Sequence, residues 1–129
     1  YESAKAGRRM KVAAGRPTVM AMLECYEPSL VAWRVLSRCA DAFMTIDEDD
    51  AVDVMRRLAN PVRGDVAIVA GESGGVGLGG LIKATRTPDM RAALALDVTS
   101  RILIVNTEGA TDPARYEGLV GRSPAAVAA

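Results

Sequence analysis

The sequence predicts an α/β domain with a short, mostly parallel sheet and flanking helices, and three observations carry that expectation. Ile102-Leu103-Ile104-Val105 is an unbroken apolar run without polar alternation, the pattern of a strand buried on both faces. A second apolar run, residues 66–70, breaks directly into Gly71-Glu72-Ser73-Gly74-Gly75-Val76-Gly77-Leu78-Gly79-Gly80, ahead of a helix-compatible segment at 81–86. Amphipathic stretches of helical period alternate with these runs along the chain.

Residues 1–16 are small, polar and glycine-interrupted, and read as a flexible lead-in. The α/β domain then occupies 17–121, and 122–129 read as a loose tail. Pro17 opens a short helix to about Cys25. Pro28 or Ser29 starts a better one, with Leu30, Trp33, Leu36 and Ala40 on one apolar face and Trp33 in the core. Residues 42–46 read as a short strand. Thr45 or Asp47 caps the next helix, and Glu48, Asp49 and Asp50 fill its first turn, where the helix dipole favours negative charge. That is a structural use of the acidic cluster, and no metal site is expected. Val52, Met55 and Leu58 form its buried stripe, and Asn60-Pro61 ends it. A turn at 62–65 leads to the strand at 66–70, and residues 89–96 form one more helix. After the strand at 102–105, Asp112 or Thr111 caps a last helix from Pro113 to about Val120.

Composition excludes several chemistries. The chain of 129 residues has no histidine, which removes histidine-based triads and the usual zinc ligand. Sixteen basic residues balance sixteen acidic ones, so no global charge favours nucleic acid or an anionic membrane. The basic cluster Lys5, Arg8, Arg9, Lys11 and Arg16 reads as a solvated terminus. Cys25 and Cys39 read as reduced, buried thiols of a cytoplasmic protein. Half the residues are hydrophobic but only 4% are aromatic, so Ala, Val, Leu and Met must fill the core.

Glycines after a strand bring bare backbone N–H groups and a helix N-terminus to one point, which suits a phosphate, a carboxylate or a flat cofactor. The Gly-x-Gly-x-x-Gly spacing is present at Gly75, Gly77 and Gly80, but the next strand delivers an acidic residue, Glu108, 28 positions later rather than about 20. No lysine follows the last glycine, as a P-loop requires. If the two main strands are neighbours, Glu72 and Ser73 converge with Asn106, Thr107 and Glu108 on one crevice. Capping is the competing use: Ser73 for the glycine helix, Thr107 for a turn.

The Gly71–Gly79 residues are similar to those of pyridoxal-phosphate enzymes of the tryptophan-synthase β-like fold, where a Glu-Ser element precedes a small-residue helix beside the cofactor. More narrowly, the chain resembles the C-terminal part of the diaminopropionate ammonia-lyase family in four blocks: residues 17–28, 40–43, the Gly71 block and 107–112. The resemblance implies an α/β section of that fold's large domain, pyridoxal 5'-phosphate as cofactor, and release of ammonia from 2,3-diaminopropionate to leave pyruvate. It implies cofactor contacts from Glu72, Ser73, Gly74, Asn106 and Thr107, with Asn106 standing where relatives commonly have serine. It assigns no catalytic residue here, because Lys5, Lys11 and Lys83 match no Schiff-base context and Lys83 reads as solvated. Alone, the chain is expected to be inactive and to associate with itself or with a chain carrying the N-terminal part. A nucleotide- or phosphate-binding module and a non-catalytic interaction domain are the alternatives.

Overall fold

A computed structural model describes residues 1–62 and 64–129. Arg63, inside the expected 62–65 turn, lies outside the described residues. The chain divides into two compact units, Tyr1–Thr45 and Ile46–Ala129.

The structure overturns the expected sheet. Among the described residues every regular element is helical, and there is no strand. The runs at 66–70 and 102–105 are non-helical but have no ladder between them. Ile68 donates its N–H to Leu58 O at the end of a helix (2.9 Å), not to a neighbouring strand. Nor are the runs buried on both faces, since Leu103 is 90% and Val66 82% exposed. An apolar run reports a preference for burial, whereas a strand exists only where another segment completes its hydrogen bonds.

In the first unit, α1 (Glu2–Ala6) ends on Gly7 in the left-handed region at φ 64. The buried Ser3 hydroxyl accepts Met10 N–H at 3.0 Å, so the expected lead-in carries a helix of its own. The helix expected at 17–25 contracts to a single 3-10 turn, Ala21–Leu23. α2 (Leu30–Cys39) starts where expected, with Ser29 Oγ capping Ala32 N–H at 3.0 Å. None of its residues is buried. Trp33 and Leu36 instead line an open cleft of about 320 Å³ with Met10, Tyr26 and Phe43. The 42–46 run forms no strand. Cys25 and Cys39, expected inside, are both exposed, because this unit closes no core around them.

The second unit holds the core. α3 (Glu48–Ala59) begins at Asp47, and Asp50 Oδ2 accepts the Asp47 N–H at 2.9 Å. Met55 and Ala59 are buried against Tyr116, Val120 and Val127, with Ala67, Val69, Ala110 and Leu119 packed around them. The buried stripe of α3 is Ala51, Val54, Met55 and Ala59, rotated from the expected Val52, Met55 and Leu58. α4 (Val76–Arg86) starts five residues before the predicted segment and takes in Gly77, Gly79 and Gly80. α5 (Pro88–Ala93) follows. α6 (Pro113–Val120) is capped by the Asp112 side chain on Arg115 N–H (3.0 Å) and ends on Gly121 at φ 81. The expected loose tail carries α7 (Pro124–Ala128), with Val127 buried. Arg122 fastens it, donating to Ala59 O at 2.8 Å, Asn60 Oδ1 at 3.2 Å and Ala126 O at 2.6 Å.

Candidate functional site

The segments that follow the two apolar runs meet. Gly71 N–H donates to Glu108 O at 3.0 Å. Ser73 N–H donates to Glu108 Oε2 at 3.0 Å, and Thr111 Oγ1 donates to Glu108 Oε1 at 3.3 Å. Turned so that oxygen does not face oxygen, the Asn106 amide donates to Glu108 O at 3.0 Å and Gly74 O at 3.3 Å. Ser73, Gly74, Asn106 and Glu108 therefore touch each other instead of facing across a gap.

Close approach explains the glycines. A Cβ built on Gly74 lies 2.5 Å from Glu108 O, 2.8 Å from Glu108 N and closer still to the Asn106 side chain. A Cβ on Gly75 lies 2.7 Å from Val54 Cγ1. On Gly79 it meets Ile46 Cδ1 at 3.1 Å and Val54 Cγ2 at 3.5 Å. The absence of side chains thus lets the turn reach the 106–109 segment and lets α3 lie against the start of α4.

Glu72, 14% exposed at its side chain, pairs with Arg115 of α6, Nε to Oε1 at 2.8 Å. Ser73 is 3% exposed, and its hydroxyl has no partner among the described residues. It does not cap α4, because Gly75 occupies that position. Thr107 is exposed beside Asn106. Glu108 is the residue whose role the sequence reading missed: its backbone carbonyl and Oε2 hold the two segments together, while Oε1 accepts from Thr111 within its own segment. Its place two residues beyond Asn106 was the available signal.

Lys83 is not merely solvated. Its Nζ reaches Asp47 Oδ2 at 2.8 Å and Asp50 Oδ2 at 3.3 Å, tying α4 to the start of α3. The hydrogen bond to Asp47 raises the Lys83 pKa, and the Asp47 N–H with Lys83 lowers that of Asp50. Burial raises the pKa of Tyr116, whose hydroxyl also has no partner among the described residues. Among the described residues no group of three or more His, Cys, Asp or Glu residues is placed to hold a metal ion. No described helix is long and apolar enough to cross a membrane.

The polar groups around the turn are the ion-paired Glu72 carboxylate, an acceptor, the buried Ser73 hydroxyl, without a partner among the described residues, and the exposed Thr107 hydroxyl. The ammonium of Lys83 is held by two aspartates, on α3 and at its cap.

No family model matches the chain. Diaminopropionate ammonia-lyase of Escherichia coli K12 is 37% identical over 131 residues, covering 99% of this chain and 33% of that protein. The Salmonella typhimurium LT2 protein of the same name is 36% identical over 112 residues, covering 82% of this chain and 28% of that protein. The crystal structure of the Escherichia coli lyase in complex with an aminoacrylate-PLP azomethine reaction intermediate matches with a TM-score of 0.80 and 36% identity. That match covers 93% of this chain and 30% of the other. The same lyase in complex with D-serine gives a TM-score of 0.79 at 34% identity, with the same coverage. The chain spans about a third of the length of the curated relatives it matches.

Proposed function

We propose that this chain, a relative of one third of diaminopropionate ammonia-lyase, forms the wall of a lyase active site that faces the ring of pyridoxal 5'-phosphate. The observation that supports the reading is the meeting of Glu72-Ser73-Gly74 with Asn106-Thr107-Glu108. The substrate class is a small diamino acid, 2,3-diaminopropionate, with pyruvate and ammonia as products. The chain corresponds to the C-terminal part of such an enzyme, and its setting is the cytoplasm.

When bound, pyridoxal phosphate supplies an electron sink that stabilises negative charge at the substrate α-carbon. The work of this chain is to hold the ring. Glu72, fixed by Arg115, presents an acceptor at one edge. The Ser73 hydroxyl supplies a donor, and Gly74 allows the close approach of the 106–108 segment behind it. Both Asn106 donors are directed at the chain's own carbonyls, so the exposed Thr107 hydroxyl is the group that meets the pyridine nitrogen. The covalent anchor comes from the part of the lyase this chain does not match. The exposed apolar residues Leu103 and Val105 are where that part packs.

The phosphate-module alternative loses support at Ser73, whose N–H is already taken by a carboxylate. The decisive experiment mixes the purified chain with a polypeptide comprising the unmatched two thirds of the Escherichia coli lyase. Pyruvate and ammonia release from 2,3-diaminopropionate is then measured, with borohydride labelling of the cofactor. Activity in the mixture, with no stoichiometric lysine labelling of the chain alone, supports the proposal. One lysine of the isolated chain labelled stoichiometrically, or a mixture that neither labels nor turns over, overturns it.

A further inference from the structure

The glycine turn is gripped from two sides, and one of the grips comes from a helix outside it. We infer that Arg115 is a positioning residue, which holds the Glu72 carboxylate in place for a bound group and so makes α6 part of the site. The inference rests on the lyase reading and deepens it.

The contacts form a closed circuit. Ser73 N–H is held by Glu108 Oε2 at 3.0 Å. Beyond Glu108 in the same segment, Asp112 caps α6 by accepting the Arg115 N–H at 3.0 Å. Arg115 Nε then reaches back to Oε1 of Glu72, the neighbour of Ser73, at 2.8 Å. Glu72 and Ser73 are therefore tied to the two ends of one short stretch, residues 108–115. That stretch is not free to drift. Tyr116, next after Arg115, is 1% exposed and packs in the core with Met55 and Ala59 of α3. The arginine thus stands on a fixed backbone, with a cap bond at its own N–H and a core residue beside it.

A glutamate side chain without a partner samples several rotamers, and ordering it on binding costs free energy. The Glu72 side chain is largely withdrawn from water, so its charge is held in place by a hydrogen-bonded counter-charge. The pair is made through Oε1, which leaves Oε2 as the oxygen offered to a donor on a bound group. Arg115 itself touches no cofactor in this scheme. It acts through Glu72.

The test is a double-mutant cycle on E72Q and R115M in the mixture with the unmatched two thirds of the Escherichia coli lyase. The readout is affinity for pyridoxal 5'-phosphate, followed by cofactor absorbance. R115M alone weakens binding about tenfold, as loss of a hydrogen bond to a charged group does. In the E72Q background R115M costs nothing further. A role confined to folding α6 lowers affinity by the same factor in both backgrounds, and that additive result overturns the inference, as does R115M with wild-type affinity. The isolated chain gives a second readout that needs no cofactor, the Arg115 Nε–H signal in nitrogen-proton correlation spectra. It exchanges slowly in the wild type and moves to the position of a free arginine in E72Q. A wild-type signal already at that position overturns the inference. A wild-type mixture that neither binds the cofactor nor turns over 2,3-diaminopropionate counts against the lyase reading, and the Nε–H signal then still decides whether Arg115 holds Glu72.

Discussion

Alanine substitutions at three glycines should separate three physical situations. Gly118 lies inside α6 with nothing within 4 Å of a built Cβ, so G118A gains the ordinary helix preference, about 0.5–1 kcal/mol. Gly77 lies in α4 with only Ile104 Cγ2 at 3.1 Å, a branch methyl of a partly exposed residue that must give by a few tenths of an ångström; this offsets the helix gain, so G77A stays within about 0.5 kcal/mol of wild type. Gly74 meets backbone. To bring Glu108 O from 2.5 Å out to ordinary contact at 3.4 Å, the two segments must part by nearly an ångström. The Gly71–Glu108 and Ser73–Glu108 hydrogen bonds, both 3.0 Å, do not survive that separation. Losing one neutral and one charge-assisted bond costs about 2.5–4 kcal/mol. Urea denaturation followed by circular dichroism at 222 nm measures all three. A G74A protein as stable as wild type, or a G118A protein less stable than wild type, would refute the reasoning.

Three further outcomes are expected. Y116F removes a buried hydroxyl that has no partner among the described residues and should stabilise by about 1 kcal/mol, whereas Y116A should lose about 3–5 kcal/mol; a destabilised Y116F in the same urea assay contradicts the packing. Asp50 has its pKa lowered on folding, first by the Asp47 N–H and then by Lys83, so its contribution is present above the unfolded value and is lost as pH falls through the folded one. The melting-temperature gap between wild type and D50N should therefore be full at pH 7 and close below about pH 4, and a gap that persists unchanged at pH 2 rejects the assignment. Both Cys25 and Cys39 should react with an aromatic disulfide reagent in the native state within about tenfold of the rate in urea, and protection of either thiol would restore the buried reading.

Signals confined to a few neighbouring residues were legible. Of the paired candidates Pro28 or Ser29 and Asp112 or Thr111, Ser29 and Asp112 cap the helices, and Asn60-Pro61 closes α3. These interactions join atoms three or four residues apart, so the sequence contains both partners. The meeting of Glu72-Ser73 with Asn106-Glu108 was legible as a condition, since it required the two runs to be neighbours. The sheet was not legible in the same sense. Val66 and Leu103 have the composition of core strands, but composition names no pairing segment, and among the described residues none completes a ladder. The thiols failed for a related reason. Cysteine's preference for burial assumes a core to enter, and the first unit has an open cleft instead. Glu108 was visible as a crevice residue but not as the bridge between the segments, because its partners Gly71 and Ser73 stand 37 and 35 positions away.

The bare 102–105 run also governs how the chain behaves in company. Ile102-Leu103-Ile104-Val105 is β-branched or leucine throughout, carries no charge and no proline, and stands largely open to solvent. Such a segment is a template for cross-β stacking between identical chains. Arg101 on one side is its nearest gatekeeping charge, and Asn106 on the other offers none. Self-templating rises with concentration, so the isolated chain has a ceiling on how concentrated it can remain. That ceiling is set by three exposed residues, Ile102, Leu103 and Val105, however firmly the core around Met55 and Tyr116 is packed.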